Sequence, residues 1–131
     1  NFVLTVKWSF PLVKNSAQCG LMFRSDTLNW IKAGLLSPSF VMPQLGVVSA
    51  NQGSCDWSAV ELPLECRKIW LRLSRRGKDF VLMYSLNGNN FHQIRMLHLP
   101  KVSDVAAVGA YACSPGEESF ECVLEEIELA Y

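Results

Sequence analysis

Residues 69–88 read IWLRLSRRGKDFVLMYSLNG, and their spacing decides the class of fold. Ile69, Leu71 and Leu73 alternate with Trp70, Arg72 and Ser74. Past Gly77, Phe80, Leu82, Tyr84 and Leu86 alternate with Val81, Met83 and Ser85. A period of two puts the apolar side chains of an extended chain on one face, which is the mark of a half-buried strand. Gly77 turns the first strand into the second. Asn87-Gly88 then gives the strongest short hairpin signal in the chain, because a tight reverse turn needs positive φ at low cost. Its partner strand is Phe91 to Leu99, ended by Pro100.

The same pattern runs outward in both directions. Phe2, Leu4, Val6, Trp8 and Phe10 share a face near the start. Leu21 and Phe23 oppose Met22 and Arg24, Asp26-Thr27 turns the chain, and Leu28 to Leu36 returns as a hairpin. Pro38, Ser39 and Pro43 mark a loop. Leu45 to Ala50 is a short strand, Asn51-Gln52-Gly53 a turn, and Cys55 to Val60 the next strand. Val105 to Cys113 is rich in small residues and is expected to be buried on both faces, with a turn at Pro115-Gly116. In the last strand Phe120, Cys122 and Leu124 share one phase and Ile127, Leu129 and Tyr131 the other. The slip predicts a β-bulge at Glu125 or Glu126. No window shows a clean helical period with caps. Roughly ten short strands with turn punctuation predict one all-β domain over 1–131, a sandwich or a barrel.

Composition narrows the function classes. Of 131 residues, 50% are hydrophobic and 18% charged, which fits a compact globule. Twelve acidic and twelve basic residues balance, so the chain has no electrostatic footprint for nucleic acid or an anionic membrane. No apolar run of about 18 residues is present to span a bilayer, and the alternating first residues do not read as a signal peptide. The five cysteines, Cys19, Cys55, Cys66, Cys113 and Cys122, are odd in number and form no Cys-x-x-Cys. They read as small buried hydrophobes, which favours a reducing compartment and a cytoplasmic location.

Cations and aromatics stand out on the predicted strand faces. Trp30 shares a face with Lys32, and Trp70 with Arg72, while Arg24 and Arg95 sit in mid-strand. Aromatic faces stack on sugar rings, and guanidinium forks hold hydroxyls or carboxylates. The alternative is that each cation snorkels beside a packed indole. Asp56-Trp57 presents a carboxylate next to a stacking platform, or an Asp-based turn next to a core Trp. Glu126 and Glu128 share a face, as a glycosidase pair would, or simply protect a terminal strand. His92 and His98 have no ligand pattern around them, so no metal is expected. No nucleophile elbow or phosphate-binding loop occurs, and no cofactor is implied.

The linked motifs resemble a known family. They run Cys19-Gly20-Leu21-Met22-Phe23-Arg24, Trp30-Ile31-Lys32-Ala33-Gly34, Ser54-Cys55-Asp56-Trp57-Ser58, Trp70-Leu71-Arg72-Leu73-Ser74-Arg75, Tyr84-Ser85-Leu86-Asn87-Gly88, Arg95-Met96-Leu97-His98-Leu99 and Val108-Gly109-Ala110-Tyr111-Ala112-Cys113. Their order and spacing are similar to those of the regulation-of-enolase protein family, whose domain has no assigned function. The resemblance implies a two-sheet antiparallel β-sandwich, a jelly roll of the concanavalin A-like lectin/glucanase kind. It supplies no reaction. Leu36 stands where the family usually has an acidic residue, which removes a carboxylate beside the expected pocket. Asn87-Gly88 replaces the usual Asp-Gly. The family's first strands have no counterpart before Asn1, as expected of a fragment.

These readings converge on a non-catalytic binding module that meets a carbohydrate or a protein surface on its concave sheet. Trp30 and Trp57 are expected to stack, Arg24, Lys32, Arg72 and Arg95 to donate hydrogen bonds, and Asp56 to accept one or to hold an arginine. A glycoside-active enzyme is the rival, with Asp56 and a last-strand glutamate as its carboxylates. A structural subunit of a larger assembly is the third reading.

Overall fold

A computed structural model describes residues 1–11, 18–36, 43–114, 119 and 121–131. Ten strands are present in them and no helix: β1 (Phe2–Ser9), β2 (Gln18–Arg24), β3 (Trp30–Leu36), β4 (Gln44–Asn51), β5 (Ser54–Glu61), β6 (Lys68–Arg76), β7 (Asp79–Ser85), β8 (His92–His98), β9 (Ala107–Cys113) and β10 (Val123–Ala130). They form two five-stranded sheets. The first has the order β10-β1-β6-β7-β8 and the second β5-β4-β3-β2-β9, with every described pairing antiparallel.

Alternation along each strand builds the sandwich. Leu4, Val6 and Trp8 of β1, Ile69, Leu71 and Leu73 of β6, and Phe80 and Leu82 of β7 turn inward from the first sheet. Leu21 and Phe23 of β2, Ile31, Ala33 and Leu35 of β3, and Leu45 and Val47 of β4 meet them from the second. Phe23 and Phe80 touch across the interface with ring centroids 4.7 Å apart. The Trp8 indole donates to the Gly20 carbonyl at 3.0 Å, one more tie between the sheets.

Two bulges set the facing of the outer strands. Lys7 pairs with Glu126 and Trp8 with Leu124, so Glu125 is the extra residue, where the phase slip placed it. In β8, Leu82 pairs with Arg95 and Met83 with Gln93, which leaves Ile94 as a second extra residue.

Several expectations need correction. The Asn87-Gly88 hairpin exists but is wide, since its last paired residues are Tyr84 and His92. The Ser85 hydroxyl accepts from the Asn87 and Gly88 amides, and the Asn87 side chain from Asn89 and Asn90. These side chains satisfy the loop's backbone without a two-residue turn. Tight two-residue turns stand instead at Gly77-Lys78, between the paired Arg76 and Asp79, and at Gln52-Gly53, where both residues have positive φ between the paired Asn51 and Ser54. β9 is a partly exposed edge strand rather than one buried on both faces, because among the described strands only β2 pairs with it. Of the five cysteines only Cys19 is fully buried. Cys66 and Cys122 are half-buried, and Cys55 and Cys113 are exposed because they sit on edge strands. The expected features at Pro38, Ser39, Pro115-Gly116 and Phe120 lie outside the described residues. Among those residues no helix is long and apolar enough to cross a membrane.

Candidate functional site

The outer face of the second sheet is built by register. Trp57, Val48, Lys32, Met22 and Gly109 lie in one row across five strands. Cys55, Ala50, Trp30, Arg24 and Ala107 form the next row, and Ala59, Gly46, Gly34, Gly20 and Tyr111 the row on the other side. Strand and residue spacings put the Trp30 and Trp57 backbones roughly 12 Å apart. Ala50 and Val48 lie low between them.

Trp57 is 67% exposed, a large apolar side chain standing in solvent at the edge of this face. Lys32 is fixed in the same row, two strands away across Val48. Its ammonium donates to Gln18 Oε1 at 2.9 Å and sits 4.6 Å from the centre of the Tyr111 ring. Tyr111 in turn lies over Gly34, where a Cβ would come within 2.7 Å of the phenol oxygen. Burial raises the pKa of that phenol and keeps it protonated.

One end of the face is pinned by Asn29, which is 4% exposed. Its amide nitrogen donates to Asp26 and its amide oxygen accepts from the Gln52 backbone. The β2–β3 loop is therefore tied to the β4–β5 turn. Asn29, Gln18 and Tyr111 were not among the expected site residues. Tyr111 does carry a signal in the sequence, as the one large residue in the small-residue run 105–113.

The seven expected residues divide among three surfaces. Arg24, Trp30, Lys32 and Trp57 share the face just described. Asp56, next to Trp57, points the other way, into the gap between the sheets, where Arg95 Nη2 donates to Asp56 Oδ1. The Ser49 hydroxyl donates to the same oxygen at 3.1 Å. These bonds, Arg95 first and Ser49 second, hold the Asp56 carboxyl below the usual carboxylate range. Arg95 Nη1 is buried and has no acceptor among the described residues.

Arg72 belongs to the outer face of the opposite sheet. Its guanidinium lies 3.8 Å from the centre of the Phe91 ring, and its Nε donates to Thr5 Oγ1 at 3.1 Å. Trp70 on that face is flanked by Lys7 and Lys68, and Lys7 is paired with Glu125 at 2.6 Å. These cations are already held by neighbours in the fold.

The carboxylate pair of the rival reading does not form. Asp56 lies on β5, an edge of the second sheet, opposite β8. Glu126 and Glu128 lie on β10, at the other edge of the first sheet, and share its outer face with Lys7 and Thr5. Among the described residues no three His, Cys, Asp or Glu come together as a metal site.

Comparison with known proteins places this geometry in a family. Residues 1–131 match the family described as protein of unknown function (DUF1349). "Regulation of enolase protein 1" of Saccharomyces cerevisiae is 30% identical over 113 residues, 86% of this chain and 55% of the yeast protein. The chain thus spans about half the length of that curated relative. A solved structure of a functionally unknown protein from Saccharomyces cerevisiae superposes with a TM-score of 0.88 at 26% identity, over 98% of this chain and 68% of the other. The GH43 protein BlXynB of Bacillus licheniformis shares the fold at a TM-score of 0.86 and 16% identity, with 98% of this chain covering 27% of it. A xylan β-1,4-xylosidase from Bacillus halodurans C-125 does so at 0.86 and 12%, with 99% of this chain covering 27%. The chain belongs to the DUF1349 family of β-sandwich proteins, in which the yeast regulation of enolase protein is its relative.

Proposed function

We propose that this chain is a non-catalytic carbohydrate-binding module on a jelly-roll sandwich of the concanavalin A-like kind. The glycan lies across the outer face of the second sheet. It stacks on Trp57 and Trp30, and takes hydrogen bonds from Lys32 and Arg24. The observation that carries this reading is the exposed Trp57 indole in the same row as a cation fixed by Gln18 and Tyr111. A large exposed indole gains little for folding, and indoles of this kind dominate binding energy where they are found at contact surfaces. The fold shared with a xylan β-1,4-xylosidase makes xylan the first glycan to try. The free thiols of Cys55 and Cys113, both exposed, support placement in a reducing compartment.

Retention on insoluble xylan and cellulose, measured for the parent and for Trp57→Ala, tests the reading. The variant is expected to bind about tenfold or more weakly, the loss of about 1.4 kcal/mol. Its melting temperature should move by no more than a few degrees, since Trp57 is 67% exposed. Retention unchanged by Trp57→Ala, or no retention of the parent on any glycan, overturns it. Trp57-dependent capture of a protein instead would transfer this face to a protein partner.

A further inference from the structure

The two sheets do not close at the β5–β8 side. β5 and β8 are both edge strands, and a cavity of about 320 Å³ opens between them. Ser58 and Val60 line it from the second sheet, and Tyr84, His92 and Gln93 from the first. The side chains of Ser58, Tyr84, His92 and Gln93 make no hydrogen bond with the described residues. Tyr84 and His92 touch only as rings, with centroids 5.6 Å apart. Ser58, Tyr84 and His92 turn toward this slot without hydrogen-bond partners among the described residues, and they are donors and acceptors a ligand would use, whereas Gln93 borders it from the strand position paired with the outward-facing Met83.

The backbone has been adjusted to present them. In a regular strand His92 and Arg95 would face opposite sides, being three residues apart. The extra residue Ile94 removes that conflict. His92 pairs with the inward-facing Tyr84 and Arg95 with the inward-facing Leu82. Bulges often serve to re-aim side chains at functional sites. Across the gap, Asp56 and Ser58 share the inner face of β5 by the same alternation. The Arg95–Asp56 pair therefore latches the two edges together one row from Ser58.

From this geometry we infer that the cleft is a subsite for the terminal residue of a glycan chain. The inference rests on the carbohydrate reading above and extends it. The size is at the small end of ligand pockets, suited to one end residue rather than a continuous chain. The free groups that face it are a hydroxyl, a phenol and an imidazole, matched to the hydroxyls of a neutral sugar and not to a charged group. Tyr84 and His92 offer ring faces for its apolar side. β5 connects the cleft to the outer face, since Trp57 stands on one side of this exposed edge strand and Ser58 on the other. A chain that crosses the edge at Trp57 reaches the slot at Ser58.

The experiment measures xylose and short xylo-oligosaccharides by saturation-transfer NMR and titration calorimetry, alongside retention on insoluble xylan. The parent, Ser58→Leu, Tyr84→Phe and Trp57→Ala are compared, with melting temperatures to confirm folding. Ser58→Leu fills the slot and is expected to weaken short oligosaccharides tenfold or more while retention on insoluble xylan persists. Tyr84→Phe keeps the ring, removes one hydroxyl and is expected to weaken them about threefold to tenfold. Trp57→Ala should show the converse, with polymer retention lost and the xylose signal kept. If both cleft variants bind short oligosaccharides as the parent does while Trp57→Ala loses the polymer, the cleft proposal is wrong and the outer-face reading stands. If the parent binds neither, both fall.

Discussion

Asp56 and Trp57 are neighbours in sequence and lie on opposite sides of β5, a separation any strand imposes. That much was legible, since Ser54 to Ser58 reads as turn to strand, yet the two residues were expected at one surface. Their partners could not be read. Arg95 and Ser49 hold Asp56 from strands 39 and 7 residues away in the chain. The carboxyl is held below its ordinary range mainly by Arg95, then by Ser49. A group whose pKa is lower in the folded state adds stability above its unfolded pKa, about 3.9 for Asp. That contribution fades as pH falls through the folded value. Asp56→Asn is therefore expected to melt below the parent at neutral pH. The Asp56 side chain is 69% exposed, so the difference should be small, about 0.2–1 kcal/mol or a few degrees. The two melting curves should converge once pH drops well below the carboxylate range. A gap that persists in strong acid would show that Asp56 acts through something other than its charge.

At the scale of elements, period-two alternation fixed nearly every strand, and the phase slip located the bulge at Glu125. The second bulge was hidden, because 92–96 reads His-Gln-Ile-Arg-Met with no clean alternation to break. Turn geometry was not legible where side chains inside the loop take up its own backbone amides. Gln52-Gly53 is tight, whereas Ser85 and Asn87 widen the loop at Gly88 by accepting its amides. Close approach between strands was hidden as well, and it makes a prediction about glycines. A Cβ at Gly34 would meet the Cys19 carbonyl oxygen at 2.3 Å and the Tyr111 hydroxyl at 2.7 Å. At Gly46 it would crowd the Leu36 side chain, first at 2.3 Å, and meet backbone only at an ordinary 3.9 Å from the Ser58 carbonyl oxygen. Backbone cannot yield without opening the β2–β3 pairing, whereas a leucine can change rotamer. Gly34→Ala is therefore expected to cost about 1–3 kcal/mol, as overpacking does, and Gly46→Ala distinctly less. Denaturant unfolding of the two variants gives the order. Equal losses would mean that Leu36 is as immovable as the strand backbone.

Across the whole molecule, alternation tells which residues share a face but not which sheet a strand joins. Trp30-Lys32 and Trp70-Arg72 are equivalent in sequence and lie on opposite outer surfaces, since long-range pairing puts β3 beside β2 and β4 but β6 beside β1 and β7. The two sheets are joined through one shared core rather than by backbone bonds, so a defect at their interface should loosen both together. Phe80 is the sharpest probe. It is 1% exposed and packs against Phe23 of the other sheet, and the buried Arg75 guanidinium lies 5.6 Å from its ring centre. Phe80→Ala is expected to cost about 3–5 kcal/mol, a large share of the 5–15 kcal/mol typical of a domain. The five free thiols report whether the loss is global. Cys55 and Cys113 are exposed and should react with a thiol reagent in the native protein. Cys19 is fully buried on the second sheet, and burial raises its pKa, so it should stay silent until the sheets part. A cooperative sandwich predicts that Phe80→Ala, a change in the first sheet, speeds Cys19 labelling by the factor set by its stability loss while leaving Cys55 unchanged. Cys19 labelling at the parent's rate in a destabilised variant would mean that the second sheet holds without the first.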